Sequence, residues 1–211
     1  MATNDCLVID HETLWTRFKE GDADAFGLIF KTFYQDLYNY SSRFTKNTEL
    51  IKDCLQDLFL LLWKNRETIN NTASVKNYLL KSVRRRLCKE ISNNKSSITF
   101  TESNFNAGFN IVLPVENNLI LQEQLTELSY KVRNVVEKLS KRQQEIIYLR
   151  FYMDRDVEQI AEIMSLNRQS VYNLMHDALK QFKSLSGPDY FSISFPHHVF
   201  YSRFGTIKGG L

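Results

Sequence analysis

The 211-residue chain is long enough for one or two ordinary domains, and its 43% apolar share is that of a packed soluble protein. Seven Gly and three Pro are too few for an all-β chain full of tight turns, which favours helices. The formal charge of +3 is only mildly basic, so what bears on nucleic-acid binding is where the charge sits.

Cys6, Cys54 and Cys88 are scattered and odd in number, the pattern of free thiols in a reducing compartment. His197 and His198 lack the spacing of a zinc site, so no metal and no cofactor are expected. There is no charged start followed by an apolar run, and no apolar stretch approaches the ~20 residues of a membrane span. A cytoplasmic protein without membrane insertion is the expectation.

Four segments follow in chain order. In the first, about residues 10–92, Phe26, Ile29, Phe30, Phe33, Leu37, Tyr40 and Phe44 recur at helical steps and are expected on one face. Gly21-Asp22 before this run fits a break and a helix start. A second helix is expected over about Thr48–Asn65, burying Leu55, Leu58, Phe59 and Leu62. A third is expected over about Ser74–Ile91, burying Leu79 or Leu80, Val83, Leu87 and Ile91. Three or four such helices make a small bundle. The second segment, residues 93–117, is rich in Ser and Asn and reads as a linker, with Ile111–Pro114 a docking point or a short extended piece.

The third segment, residues 118–186, is helical again. A long or broken helix runs over Leu119–Lys138, and Ser140 opens the next with capping-box spacing to Gln143. The patterns Val157–Met164 and Arg168–Leu185 follow. In the fourth segment, residues 187–211, Phe191, Ile193 and Phe195 alternate with serines, the mark of a strand. Tyr201 adds apolar surface.

Val157 to Leu179 has the spacing of a helix-turn-helix. Val157, Ile160, Ala161 and Ile163 form the apolar side of its first helix, and Ser165-Leu166-Asn167 its turn, with Leu166 expected buried. Val171, Leu174 and Leu179 are expected to face back. Asn167 can cap the second helix, whose groove-facing residues would be Arg168, Gln169, Ser170, Tyr172, Asn173 and His176. Arg pairs with guanine, and Gln or Asn with adenine. A plain helical hairpin with a solvated polar face is the other reading of the same pattern.

Two helical blocks, a polar linker and a terminal helix-turn-helix together resemble the extracytoplasmic-function (group IV) branch of the sigma-70 family. The resemblance covers about residues 12–92 and 120–185. Gly21-Asp22-Ala23-Asp24-Ala25-Phe26 is similar to the GD-x-x-AF opening of its region 2. Asp53-Cys54-Leu55-Gln56-Asp57-Leu58-Phe59 with Leu62-Trp63 resembles its D-x-x-Q-[DE]-x-F-x-x-x-W segment. The resemblance implies that Asp53, Gln56, Asp57, Leu60 and Trp63 contact the clamp helices of core RNA polymerase.

Ser74 to Arg86 resembles the helix that melts and reads the −10 element. Lys76, Lys81, Arg84, Arg85, Arg86, Lys89 and Lys95 oppose Glu90 alone across residues 74–95, a charge suited to the phosphates of a separated strand. Asn77 lies in the same helix. The loop Glu67–Ala73, with Asn70 and Asn71, would be where a flipped base is captured. Val135–Ile146 resembles the opening of region 4, which docks on the polymerase flap. The chain departs from the family at Tyr172 and Leu174, where Lys and Arg are common, and at Arg85, where Asn is common.

The implied architecture is all-α. Residues 1–92 and 118–186 would form two small helical domains joined by a flexible linker at 93–117, with an extension at 187–211. The implied function is an alternative sigma factor whose partners are core RNA polymerase (clamp helices and flap) and promoter DNA. No Ser-His-Asp set, Walker sequence or glycine-rich phosphate loop is present, so no enzyme chemistry is assigned. A stand-alone helix-turn-helix regulator is the alternative. The tail residues Phe191, Ile193, Phe195 and Tyr201 either pack on themselves or add a strand to an anti-sigma factor or a DNA-bound recruiter.

Overall fold

The computed structural model describes residues 10–93, 108–111 and 134–186. The expectations for residues 112–133 and for the tail 187–211, including the alternating Phe191, Ile193 and Phe195 and Tyr201, fall outside the described residues. Among those described, every regular element is a helix: α1 His11–Lys19, α2 Ala23–Ser41, α3 Thr48–Lys64, α4 Val75–Asn93, α5 Lys141–Phe151, α6 Val157–Met164 and α7 Arg168–Ser186. The expected all-α class is the one found. The chain divides into two compact units, residues 1–108 with 156–167, and residues 109–155 with 168–211.

In the first unit α2 is central, packing on α1, α3 and α4. Its inner face carries Ala25, Ile29, Phe33, Leu37 and Tyr40, all buried. Helix α3 contributes Ile51, Leu55, Leu58, Phe59 and Leu62, and α4 contributes Val75, Leu79, Leu80, Val83 and Leu87. Helix α6 belongs to this unit through its contacts with α4. Phe30, expected inside, is 39% exposed. The reason is geometric: Ile29 and Phe33 already fill the inner face, and Phe30 lies one residue, about 100°, round the helix from Ile29. It instead edges onto Phe59 at 4.8 Å and leads a ladder to Tyr34 and Tyr38.

The Gly21–Phe26 sequence has a clear physical role. Gly21 takes a φ of +93°, a conformation that L side chains rarely adopt. Asp22 is the N-cap of α2, accepting from the N–H groups of Asp24 and Ala25. It is also paired with Arg17 at 2.6 Å. The Ala25 N–H and then the Arg17 guanidinium hold its carboxyl below the usual carboxylate range. The ionised form is the one favoured by folding. The contribution is therefore complete above the unfolded carboxyl's ordinary value near ~4 and is lost as pH falls through the lower folded value. Asp22→Asn keeps a capping oxygen but cannot titrate. Its melting temperature should depend less on pH on the acid side than the wild type's, and identical acid limbs in a pH series would contradict this.

An aromatic cluster ties the four helices together. Phe26 stacks on Phe18 at 5.8 Å and tilts onto Trp63 at 5.1 Å. Trp15 meets Tyr78 edge-on at 5.5 Å. Cys54 is buried, and desolvation pushes its thiol up to about 11. Only the thiolate is nucleophilic. A disulfide reagent should therefore leave Cys54 unmodified in the native chain and label it after denaturation; fast native labelling at Cys54 would show the thiol to be accessible.

In the second unit, Ser140 caps α5 with the expected capping box: Gln143 N–H donates to Ser140 Oγ and Ser140 N–H to Gln143 Oε1. Among the described side chains of α7, Val171, Met175 and Ala178 are buried, while Leu174 and Leu179 are only half-buried. The inward stripe thus follows 171, 175 and 178, a four-then-three spacing that omits Leu174.

Candidate nucleic-acid interface

Helices α3 and α4 pack together, and the loop between them is built by local bonds. Thr68 N–H and Ile69 N–H both donate to the Asn65 carbonyl. Ser74 Oγ accepts from Asn77 N–H and so starts α4. This hairpin carries most of the residues expected to act in the first unit.

On α3, Asp53, Gln56, Asp57 and Leu60 are exposed, Leu60 at 59%. They form the outward stripe expected from their three- and four-residue spacing. Leu61 beside them is 44% exposed, an apolar neighbour that sequence reasoning missed. Trp63 is placed differently: it is half-buried within the aromatic cluster, with the Arg66 guanidinium over its ring at 4.8 Å. Its part in this face is to anchor the end of α3.

On α4, Lys81 and Arg85 are exposed, while Asn77 and Arg84 are buried at 2% and 3%. Six positive charges on about five turns cannot all share one face, and Arg84 falls on the side of Leu80 and Leu87. Arg86 reaches Asp57 on α3 at 2.8 Å, and Lys76 reaches Asp36 on α2 at 2.5 Å. Two of the expected phosphate-binding cations are therefore already partnered within the unit. In the loop, Asn70 and Asn71 are exposed, and Asn71 Oδ1 accepts from Lys19 of α1 at 2.8 Å.

Between α3, the loop and α4 lies an open groove of about 650 Å³. Leu58, Leu61, Leu62 and Ile69 give it apolar walls, Asn65 and Ser82 add polar groups, and Tyr78 lends a ring. Arg85, Arg86 and Lys89 stand at it with Glu90. Such a groove can hold a planar heterocycle against apolar surface, with cations for an attached phosphate. Sequence reasoning named Lys89 among the cations but missed Tyr78 and Ser82 as members of this site. Their signal was present: 78, 82, 85 and 89 are spaced as one face of a helix.

The expected helix-turn-helix falls in two units, α6 with its turn in the first and α7 in the second. Asp156 caps α6 with a capping box to Gln159. Ser165 ends α6 in the left-handed conformation at φ 53°, and Leu166 N–H returns to the Ala161 carbonyl at 2.9 Å, the closure of a Schellman turn. Leu166, expected buried, is half-buried. On α7, Arg168, Gln169, Tyr172, Asn173 and His176 are exposed and Ser170 is half-buried. Gln169 Nε2 donates to Asn173 Oδ1 at 2.9 Å, pre-arranging two amides four residues apart. His176 lies 3.6 Å from Asp177.

Among the described residues there is no group of His, Cys, Asp or Glu able to hold a metal. No described helix is long and apolar enough to cross a membrane.

Comparison with known proteins places these elements. The model of Sigma-70 region 2 matches residues 29–97, and that of Sigma-70, region 4 matches residues 120–182. The chain is 24% identical over 155 residues to RNA polymerase sigma factor YlaC of Bacillus subtilis (strain 168), covering 74% of this chain and 88% of that protein. It is 21% identical over 177 residues to ECF RNA polymerase sigma factor SigK of Mycolicibacterium vanbaalenii, covering 83% and 89%. In fold it is similar to the structure of CnrH in complex with the cytosolic domain of CnrY (TM-score 0.56, 14% identity, 84% of this chain and 97% of that one). It is also similar to the structure of the sigma factor RpoE in complex with the anti-sigma factor NepR from Bartonella quintana (TM-score 0.54, 16% identity, 79% and 99%).

Proposed function

The chain belongs to the sigma-70 family, and we propose that within it this protein works as an alternative, extracytoplasmic-function-type sigma factor: a non-catalytic cytoplasmic subunit that carries core RNA polymerase to promoters and helps to open them. One observation supports this most. The α3–α4 hairpin sets an acidic and apolar stripe on one helix beside a basic, ring-lined groove on the next, and Arg86–Asp57 pins the two at 2.8 Å. A partner helix and a DNA strand can therefore be held side by side on one rigid hairpin.

In this reading Asp53, Gln56, Asp57 and Leu60 receive the polymerase clamp helices, and Trp63 keeps that surface in place from within. Lys81, Arg85 and Lys89 take the phosphates of the displaced strand. The groove over Tyr78 and Ser82, with Asn70 and Asn71 on the neighbouring loop, receives an unstacked base. Asn77 and Arg84 act from inside α4, and Lys76 and Arg86 hold α4 to its neighbours. Arg168, Gln169, Ser170, Tyr172, Asn173 and His176 face the −35 DNA, and the linker threads toward the active-site cleft. An anti-sigma factor is an expected further partner. The apolar Leu60–Leu61 surface suits it, since the polymerase and a regulator would then compete for one face.

The test is in vitro transcription with purified core polymerase on genomic fragments, with start sites mapped. New start sites that depend on this chain are expected. Initiation that is unchanged by its addition, on every template, would overturn the reading.

A further inference from the structure

The strongest remaining feature lies in the second unit, where a short piece of the polar linker is seated on the helices. Phe109 is 1% exposed, and its ring meets Tyr148 of α5 edge-on at 5.6 Å. Asn110 points outward, and its side-chain oxygen accepts from Lys141 Nζ at 2.5 Å. Ile111 turns back in, against Val135 and Val136 and against the cluster of Leu139, Ile147 and Ala178. The in-out-in order is the period-two pattern of an extended segment. The receptor is prepared for it. Gln144 is 2% exposed, and its Nε2 donates to the Leu139 carbonyl, which turns Oε1 toward the Ile111 N–H at 3.4 Å.

We propose that the α5 surface around Tyr148, Gln144 and Ile147 is a docking surface for an extended apolar–polar–apolar segment, and that this chain's own Phe109-Asn110-Ile111 occupies it as a clasp that polymerase binding draws out. The release rests on the sigma-factor reading above, in which the linker must extend into the polymerase; the docking does not. The docked segment is only three residues long, and its contacts include one backbone hydrogen bond, one side-chain bond and two apolar residues. Such a contact would be sparsely occupied between separate molecules. Tethering raises the local concentration to the millimolar range or so and keeps it filled. It also leaves the clasp weak enough to be displaced. While it is closed, the stretch from Asn93 to Phe109 spans at most about 55 Å of extended chain. Opening lengthens that tether and uncovers Gln144 and the Ile147 cluster.

Hydrogen exchange of the full chain, read by mass spectrometry, tests this. The amides around 109–111 should exchange at least about tenfold more slowly than in a free peptide of the same sequence. Phe109→Ala and, separately, Ile111→Asp should abolish that protection while leaving the α2 and α3 amides unchanged. Saturating core polymerase should abolish it in the wild type. An unprotected 109–111 in the free wild type, or protection indifferent to both substitutions, would overturn the docking. Protection that persists on bound core would overturn the release. If no core binding is seen at all, the sigma-factor reading and the release fall together, and exchange in the free chain still decides the docking.

Discussion

Gln56→Lys combined with Leu60→Glu is expected to remove core polymerase binding while leaving the helical content of the free chain intact. Both residues are exposed on the outer side of α3, away from its buried Leu55, Leu58, Phe59 and Leu62 face, so the fold has no stake in them. Leu60 is 59% exposed and must give up most of that surface to a docking helix. Burying a leucine contributes about 1.5–3 kcal/mol. A charge left in its place under the partner adds a desolvation cost on top. Central interface positions commonly lose about 2 kcal/mol or more on truncation, and each ~1.4 kcal/mol is tenfold in affinity. A loss of about 100-fold or more in the affinity for core is thus the expected outcome for the pair. A pull-down or fluorescence titration reads it, with circular dichroism as the folding control. Undiminished co-purification of the double variant would remove α3 from the interface.

Lys81→Glu combined with Arg85→Glu should give the complementary phenotype, with core binding retained and promoter opening lost. Both side chains project from the exposed side of α4, and Arg85 stands at the groove. Each phosphate contact on a single strand contributes about 0.7 to the log–log salt dependence. Losing two should flatten that slope by about 1.4 and weaken opening at physiological salt by more than about tenfold, since reversal adds repulsion to the lost attraction. Permanganate reactivity of unpaired thymines, followed across a salt series, measures this directly. The same substitutions at Lys76 and Arg86 should behave differently. Those cations already bind Asp36 and Asp57, so their loss should loosen the hairpin and lower thermal stability as well as weakening DNA contacts. Equal salt slopes for wild type and the Lys81/Arg85 variant would place the strand elsewhere.

The two expectations separate because the exposed Asp53–Leu60 stripe lies on α3 and the exposed Lys81 and Arg85 lie on α4. The Asp57–Arg86 pair is where they meet. A partner that engages Asp57 competes with Arg86 for its carboxylate, so neutralising Asp57 alone is the substitution least able to distinguish the two functions.

What the amino-acid sequence determined by itself was whatever is encoded over a few residues. The three- and four-residue recurrence of Leu and Phe placed α3 at Thr48–Lys64 within a residue, and that of Val157, Ile160, Ala161 and Ile163 placed α6 at Val157–Met164. The Ser140 capping box and the Asp22 start were legible because a cap joins residues only two or three apart. The outward stripe of Asp53, Gln56, Asp57 and Leu60 followed from helical periodicity alone. Tertiary structure decided everything that depends on residues distant in the chain. It put Phe30 at the surface and Trp63 in a ring cluster with Phe18 and Phe26. It buried Asn77 and Arg84, and it committed Lys76 and Arg86 to carboxylates on other helices. It also seated Phe109 and Ile111 of a polar linker against α5. Periodicity tells which residues share a face of one helix, but not how wide the neighbouring helices leave that face open, nor which distant side chain reaches it first.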